Sequence, residues 1–411
     1  MSWPPMRSVD EHLNAILDGV GPLPPYEQPL LEALGLPICD DVRSDIDLPS
    51  FDNSAMDGYA CRYDDVEDAS ESSPVQLPVV GESAAGQTKA YALSPGQAVK
   101  IMTGAPLPSG ADVVVPVERT DGGRVNVRIS QAPERGQHVR PRGDDLTAGD
   151  LLLEEGDVLG PRQLAILAAT GRSRVRARPR PRVVVVSSGS ELREPGTPLG
   201  FDSIYDSNSF MLAAQARAAD AIAYRVGIVN DDPQELTATL SDQLVRADLV
   251  VTSGGVSKGD YDVVKEVLSR LGTVWFGEVA MQPGKPQGFG TIGEDETPIF
   301  TLPGNPVSSY VSFEAFVLPA LRRMMGKLPY RRPTVRATCR ARVESPHGRR
   351  QFVRGAIHDT GRGPVVTPVG GHGSHLIGGL SQSNCLIVVP EGVTEIAEGG
   401  MVDTLVLDRS F

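Results

Sequence analysis

Three short segments of the chain carry the residue types from which an anion site is built. Thr252-Ser-Gly-Gly-Val-Ser-Lys-Gly-Asp260 places Gly254 and Gly255 together, where backbone can approach a ligand closely. The hydroxyls of Ser253 and Ser257, beside free N–H groups at a helix start, complete a cradle for phosphate. The segment is neither GxGxxG nor a Walker A loop, since the GK[ST] triplet is missing. Taken alone, a tight turn that needs glycine explains it equally well. Ser187-Ser-Gly-Ser-Glu191 and Leu302-Pro-Gly-Asn-Pro306, with Pro303, Gly304 and Asn305, share its composition, and each follows an aliphatic run. Loops of this kind at the carboxyl ends of parallel strands converge on one crevice, and that convergence favours a ligand site. The loops also bring Glu191, Asp260 and Asp262. Carboxylates beside a phosphate cradle repel the ligand unless a divalent cation lies between them, so a magnesium-type ion is implied. In Met281-Gln-Pro-Gly-Lys-Pro286 the prolines hold Lys285 on a rigid turn as a fixed cation; the alternative is a surface lysine.

Further polar loops lie earlier in the chain. Phe51–Tyr59 packs two aspartates, an asparagine and a glycine among Phe51, Met56 and Tyr59, and Ile101–Pro106 and Arg140–Asp145 are similarly bounded by apolar or rigid residues. Each alone reads as a structural turn. His372 and His375 form an HxxH pair without the cysteines or HExxH helix of a zinc site. No GxSxG elbow and no Ser/His/Asp triad can be assigned.

The elements that must hold these loops follow from apolar periodicity. Residues 7–20 and 29–36 read as helical, as does 161–171 with Gly171 closing it. Bursts at Val75–Val80, Gln97–Ile101, Asp112–Val117 and Val125–Ile129 read as strands, with Asp121-Gly122-Gly123 as a hairpin signal between the last two. From Arg182 the pattern is strand–helix–strand. Strands are expected at 182–187, 224–229, 248–252, 274–279, 287–292 and 298–302. Helices are expected at 208–219, 233–245, 260–271 and 306–325, the last kinked by Pro319. Repeated βα units imply a doubly wound sheet. Residues 331–411 return to β and suggest a small barrel or sandwich. The domains expected are 1–45 with 146–181 (helical, linking), 46–145 (inserted β), 182–330 (α/β) and 331–411 (β).

Composition narrows the class. With 411 residues and a net charge of −13, the chain is a poor binder of nucleic acid, because polyanions are repelled at long range. Its 5% aromatic content gives little to a base-stacking surface. The basic run at 172–182 reads as a solvated linker or a binding patch. Four dispersed cysteines contain no CxxC pair and fit a reducing cytoplasm. The first residues do not resemble a signal peptide, and no apolar run approaches the ~20 residues of a membrane helix. A cytoplasmic protein without membrane partners is expected.

The stretches FDNSAMDGYA (Phe51–Ala60), IMTGAPLPSGADVVVPVE (Ile101–Glu118), RPRGDDLTAGD (Arg140–Asp150), SSGSEL (Ser187–Leu192), YDSNSFML (Tyr205–Leu212), TSGGVSKGDYD (Thr252–Asp262), QPGKP (Gln282–Pro286) and LPGNPVSS (Leu302–Ser309) occur in the order and spacing of one family. Through them the whole chain resembles the MoeA family of molybdopterin molybdenumtransferases, related to the E domain of gephyrin. The resemblance implies a MogA-like α/β domain with an inserted β domain and a C-terminal β domain, assembled as a homodimer. Each site would lie between the α/β domain of one copy and the β domain of the other. It implies magnesium-dependent insertion of molybdate into adenylylated molybdopterin with release of AMP. It also implies a molybdopterin adenylyltransferase and molybdoenzyme-targeting proteins as partners. Asp57, Thr103 and Asp145 match the family's opposing β-domain contribution, and Glu191 and Asp262 the acids near metal and phosphate. Gly254, Gly255 and Ser257 match the phosphate cradle, Lys285 its neutralising cation, and Asn305 the pocket-lining loop. Gln282 stands where many members have lysine, and Ser190 where aspartate is common. These departures leave open a weakened paralogue that binds molybdopterin as a scaffold.

Overall fold

The computed structural model describes residues 5–86, 91–254, 263–371, 373–408 and 411. It divides into two compact units, one formed by the residues up to Cys39 together with Val175–Phe411, the other by Asp40–Arg174.

In the first unit the aliphatic run of β1 (Arg182–Ser188) is explained by burial on both faces. Val183 and Val185 join Leu212, Phe300 and Phe316 on one side, while Val184 and Val186 join Leu236, Leu240, Val264 and Val267 on the other. The remaining strands are β2 (Ile222–Val229), β3 (Leu249–Ser253), β4 (Gly272–Glu278), β5 (Pro286–Ile292) and β6 (Thr297–Leu302). Their spatial order is β2-β1-β3-β6-β5-β4. β2, β1, β3 and β6 run parallel, and β5 is antiparallel to both β6 and β4. The sheet is therefore doubly wound where the ligand loops arise and antiparallel at one edge.

Helices Asn208–Ala218, Pro233–Leu244 and Val263–Leu271 cover this sheet. The expected long helix runs as Pro306–Ser312, a π-helical turn Phe313–Val317, and Leu318–Met325. Pro319 has no N–H to donate to the preceding turn, and the wide π turn absorbs the missing bond. Helix Val9–Gly19 starts at a capping box of Ser8 and Glu11 and buries Val9, Leu13 and Ile16 in the same core. Its Asp10 reaches Arg350 and Arg331, each at 2.7 Å.

The C-terminal strands Thr334–Cys339, Arg350–Asp359, Pro364–Pro368, Cys385–Val389 and Met401–Val406 close on themselves, because Arg350–Asp359 pairs with both Pro364–Pro368 and Cys385–Val389. The result is a five-stranded barrel with Cys339 and Cys385 buried among Ala337, Val366 and Ile387.

The second unit holds a five-stranded sheet in the order Val113–Pro116, Gly58–Cys61, Ala98–Ile101, Val75–Ser83, Asn126–Ile129. Two expectations fail. Residues 30–36 form successive turns rather than a helix, with Glu32 and Ala33 both donating to Pro29 O and Gly35 at φ 82°. Seven residues bounded by prolines are too few to repay helix nucleation. Asp121-Gly122-Gly123 does turn the chain, but Val113–Pro116 and Asn126–Ile129 lie at opposite edges of the sheet rather than pairing. Each finds its partner in a strand remote in sequence, Gly58–Cys61 and Val75–Ser83 respectively.

Candidate active site

The parallel strands end level with one another, Ser187 beside Ser253 and Ser253 beside Leu302, so their loops open on one crevice. Gly254 donates its N–H to Leu302 O at 3.0 Å with φ 96°, in the left-handed region. A Cβ at Gly254 would lie 3.3 Å from Ser188 O, and one at Gly304 would lie 3.8 Å from Gly254 Cα. All three loops thus meet at the glycines. Pro303 O accepts from Ser309 Oγ at 2.5 Å, which fixes the turn into the helix at Pro306. Asn305 donates through Nδ2 to Ser374 Oγ at 3.0 Å, and Val307 N donates to Ser374 O, so a barrel loop borders the crevice.

The crevice floor is organised by two residues that the sequence reading left without a role. Asn208 Nδ2 donates to Ser253 Oγ at 2.8 Å and to Gly304 O at 2.6 Å, bridging two of the loops. Among the described residues its buried Oδ1 has no hydrogen-bond partner. Asp206 is buried and accepts from Ser187 Oγ, Ser209 N and Ser209 Oγ. The signal was present, since Asp206-Ser-Asn208 is a run of capping residues where a helix begins. What the run satisfies is decided across the sheet.

Glu191 is exposed, and its carboxylate lies over Gly189, where an added Cβ would come within 2.7 Å of Oε2. Ser190 donates through N and Oγ to Asp231 Oδ2 at 3.1 and 3.3 Å. Lys285 pairs with Glu278 at 2.8 Å. Its loop is tied to the same long helix by Gln287 Nε2, which donates to Gly284 O and Ser312 Oγ. Gln282 sits on a short strand beside Arg350 and Gln351. Among the described residues no group of three His, Cys, Asp or Glu side chains could hold a metal ion. The exposed Glu191 carboxylate is an oxygen donor of the kind magnesium takes together with water and substrate phosphate. Gly255, Ser257, Asp260, Asp262 and His372 lie outside the described residues.

In the second unit Asp57 and Thr103 do meet. Asp57 Oδ1 accepts from Thr103 N at 2.7 Å and Thr103 Oγ1 at 2.8 Å. These two donors, the backbone N–H foremost, hold the Asp57 carboxyl below its usual value. Asp57 is aimed by Gly58, which must be glycine: a Cβ there would lie 2.0 Å from Val115 O in the neighbouring strand. Ser54 Oγ accepts from Met56 N and donates to Met56 O, shaping the same turn. Asp145 is exposed on a loop whose backbone is docked by Asp145 N to Leu48 O at 2.9 Å and by Arg142 N to Asp52 Oδ1 at 2.6 Å. Strand pairing of Asn53 with Arg140 sets that loop beside the Asp57 turn.

Comparison with known proteins finds the same pattern along the chain. Residues 7–171 match the family described as MoeA N-terminal region (domain I and II), 184–323 the "Probable molybdopterin binding domain", and 336–407 the MoeA C-terminal region (domain IV). Molybdopterin molybdenumtransferase 2 of Mycobacterium tuberculosis is 46% identical over 400 residues, covering 96% of this chain and 98% of that protein. The molybdopterin molybdenumtransferase of Haemophilus influenzae is 35% identical, covering 97% and 98%. Two solved MoeA structures from Pyrococcus horikoshii are 31% and 28% identical, with TM-scores of 0.82 and 0.73, over 98% and 97% of this chain and 100% of theirs.

Proposed function

The chain belongs to the MoeA family of molybdopterin molybdenumtransferases, and we propose that it transfers molybdenum from molybdate to adenylylated molybdopterin, cleaving the phosphoanhydride and releasing AMP. The observation that carries this reading is Asn208, whose buried, unpartnered Oδ1 stands between the loops it joins. A buried acceptor without a partner is uncommon in folded proteins, and a substrate donor reaching the crevice floor would satisfy it. Gly254 and Gly304 let the protein backbone approach the substrate, Ser253 and Ser257 offer hydroxyls, Asn305 and Pro303 shape the far wall, and Lys285 would bring positive charge on exchanging its partner Glu278 for phosphate. Magnesium, held by Glu191 and Asp262, would supply the charge that offsets the diphosphate. A homodimer belongs to this reading, with Asp57, Thr103 and Asp145 delivered by a second copy. So do a cytoplasmic setting, a molybdopterin adenylyltransferase upstream and molybdoenzyme-targeting proteins downstream.

The test is to incubate the purified protein with adenylylated molybdopterin, molybdate and magnesium, then measure AMP and the activation of an apo-molybdoenzyme. Activity lost in Asp262→Asn and Glu191→Gln, with the fold intact, supports the assignment. A folded protein that releases no AMP contradicts it. Molybdopterin held tightly under those conditions without turnover would make the chain a binding module instead.

A further inference from the structure

Among the described residues, those assembled at the crevice are hydroxyls, amides, carboxylates and a lysine, which suit phosphate and cation but offer no face to a flat ring. Such a face lies at its rim. After Glu191 the chain makes an excursion that returns at Ile204–Tyr205, pairing Leu192 with Ile204 and Arg193 with Tyr205. Ile204 N donates to Glu191 O at 2.9 Å, and Asp206 and Asn208 of the floor follow directly. Aromatic residues are only 5% of the chain, yet Phe201, Tyr205 and Phe210 are all exposed within this one stretch. Tyr205 differs from the other two in being anchored. Its hydroxyl donates to Thr197 O at 2.8 Å. Thr197 in turn donates through N and Oγ1 to Glu194 O, at 3.1 and 2.7 Å. Glu194 is gripped by both Arg225 amino groups at 2.8 and 2.9 Å, and Arg225 itself lies 4.1 Å over the Phe210 ring. A tyrosine with 43% of its surface in water would ordinarily be free to turn. This one is fixed by a chain of bonds running back to β2. A fixed ring loses little freedom when a heterocycle settles on it.

We propose that Tyr205 is the binding residue on which a flat heterocycle of the substrate stacks, with Arg225 and Glu194 holding the ring for it. The inference rests on the nucleotide-and-pterin reading of the crevice given above. The substrate class would carry two such rings, adenine and pterin, and the ring in question is distinguished by probe.

The experiment measures binding by calorimetry with magnesium present, using AMP, neopterin monophosphate and ribose 5-phosphate. It compares the full chain with Tyr205→Ala, Tyr205→Leu and Tyr205→Phe. The alanine and leucine variants should weaken one of the two ring-bearing phosphates on the order of tenfold and leave ribose 5-phosphate unchanged. Loss on AMP assigns adenine, and loss on neopterin monophosphate assigns pterin. Tyr205→Phe keeps the face and removes the anchor, so a smaller loss on the same probe is expected. The proposal is overturned if neither ring-bearing probe is weakened. It is overturned equally if ribose 5-phosphate weakens in step, since the substitution would then act on the crevice as a whole. Failure of the wild-type protein to bind any of the three overturns the crevice reading itself, and this inference with it.

Discussion

Asn208→Ala separates the structural from the functional part of the crevice. The substitution removes two hydrogen bonds, to Ser253 Oγ and Gly304 O. Gly304 is exposed, so water can replace the lost donor at its carbonyl, and that bond should cost about 1 kcal/mol or less. Ser253 is buried, and stranding its hydroxyl should cost ~1–2 kcal/mol. Against these stands a gain: the wild-type Oδ1 is already buried and unsatisfied, and deleting it returns ~1 kcal/mol. The net loss of stability is therefore about 0–2 kcal/mol, read from the denaturation midpoint. Substrate binding receives no such refund, because the ligand loses both the acceptor and the register of the two loops. The KM for adenylylated molybdopterin should rise on the order of tenfold or more, in excess of the stability change. Urea titration and steady-state AMP release decide the matter. A variant with unchanged KM would show that Oδ1 serves no ligand. A stability loss of several kcal/mol would show that Asn208 is purely a structural bridge.

Three further outcomes follow from the geometry. His12 is buried between Trp275 and Phe316, and burial lowers its pKa from 6.5 to about 3. The unfolded chain takes up that proton first, so stability is full above pH 6.5 and falls towards pH 3, by about 2 kcal/mol at pH 5; His12→Gln should flatten this part of the stability profile. Thr103→Val removes one of the two donors to Asp57 and should raise the Asp57 pKa towards 3.8, read by carboxyl NMR titration; an unmoved value would mean that the hydroxyl does not hold the charge. Gly58→Ala would force a Cβ to 2.0 Å from Val115 O and should destabilise the second unit by ~3 kcal/mol, with faster amide exchange across Val113–Val115; normal protection there would refute the steric account.

The amino-acid sequence by itself determined the βα alternation of residues 182–326, because a strand buried on both faces must be aliphatic throughout and a covering helix must be apolar every third or fourth residue. It also placed Gly-, Ser- and Asn-rich loops at the carboxyl ends of those strands, a composition that a tight turn and a ligand cradle share. It marked Asp57 and Thr103 as neighbours only through resemblance; 46 residues separate them, and their bond depends on strands Gly58–Cys61 and Ala98–Ile101 lying side by side. The second unit's strand order, the failed helix at 29–36 and the barrel's closure were likewise settled by pairing partners remote in the chain. Local pattern sees only the residue's own turn or pleat. Asn208 makes the point at the site. Its type and place in the first turn of a helix suggest local bonding, yet its two bonds go to residues 45 and 96 positions away. The tertiary structure alone brings those acceptors within reach, because the level ends of three parallel strands converge there.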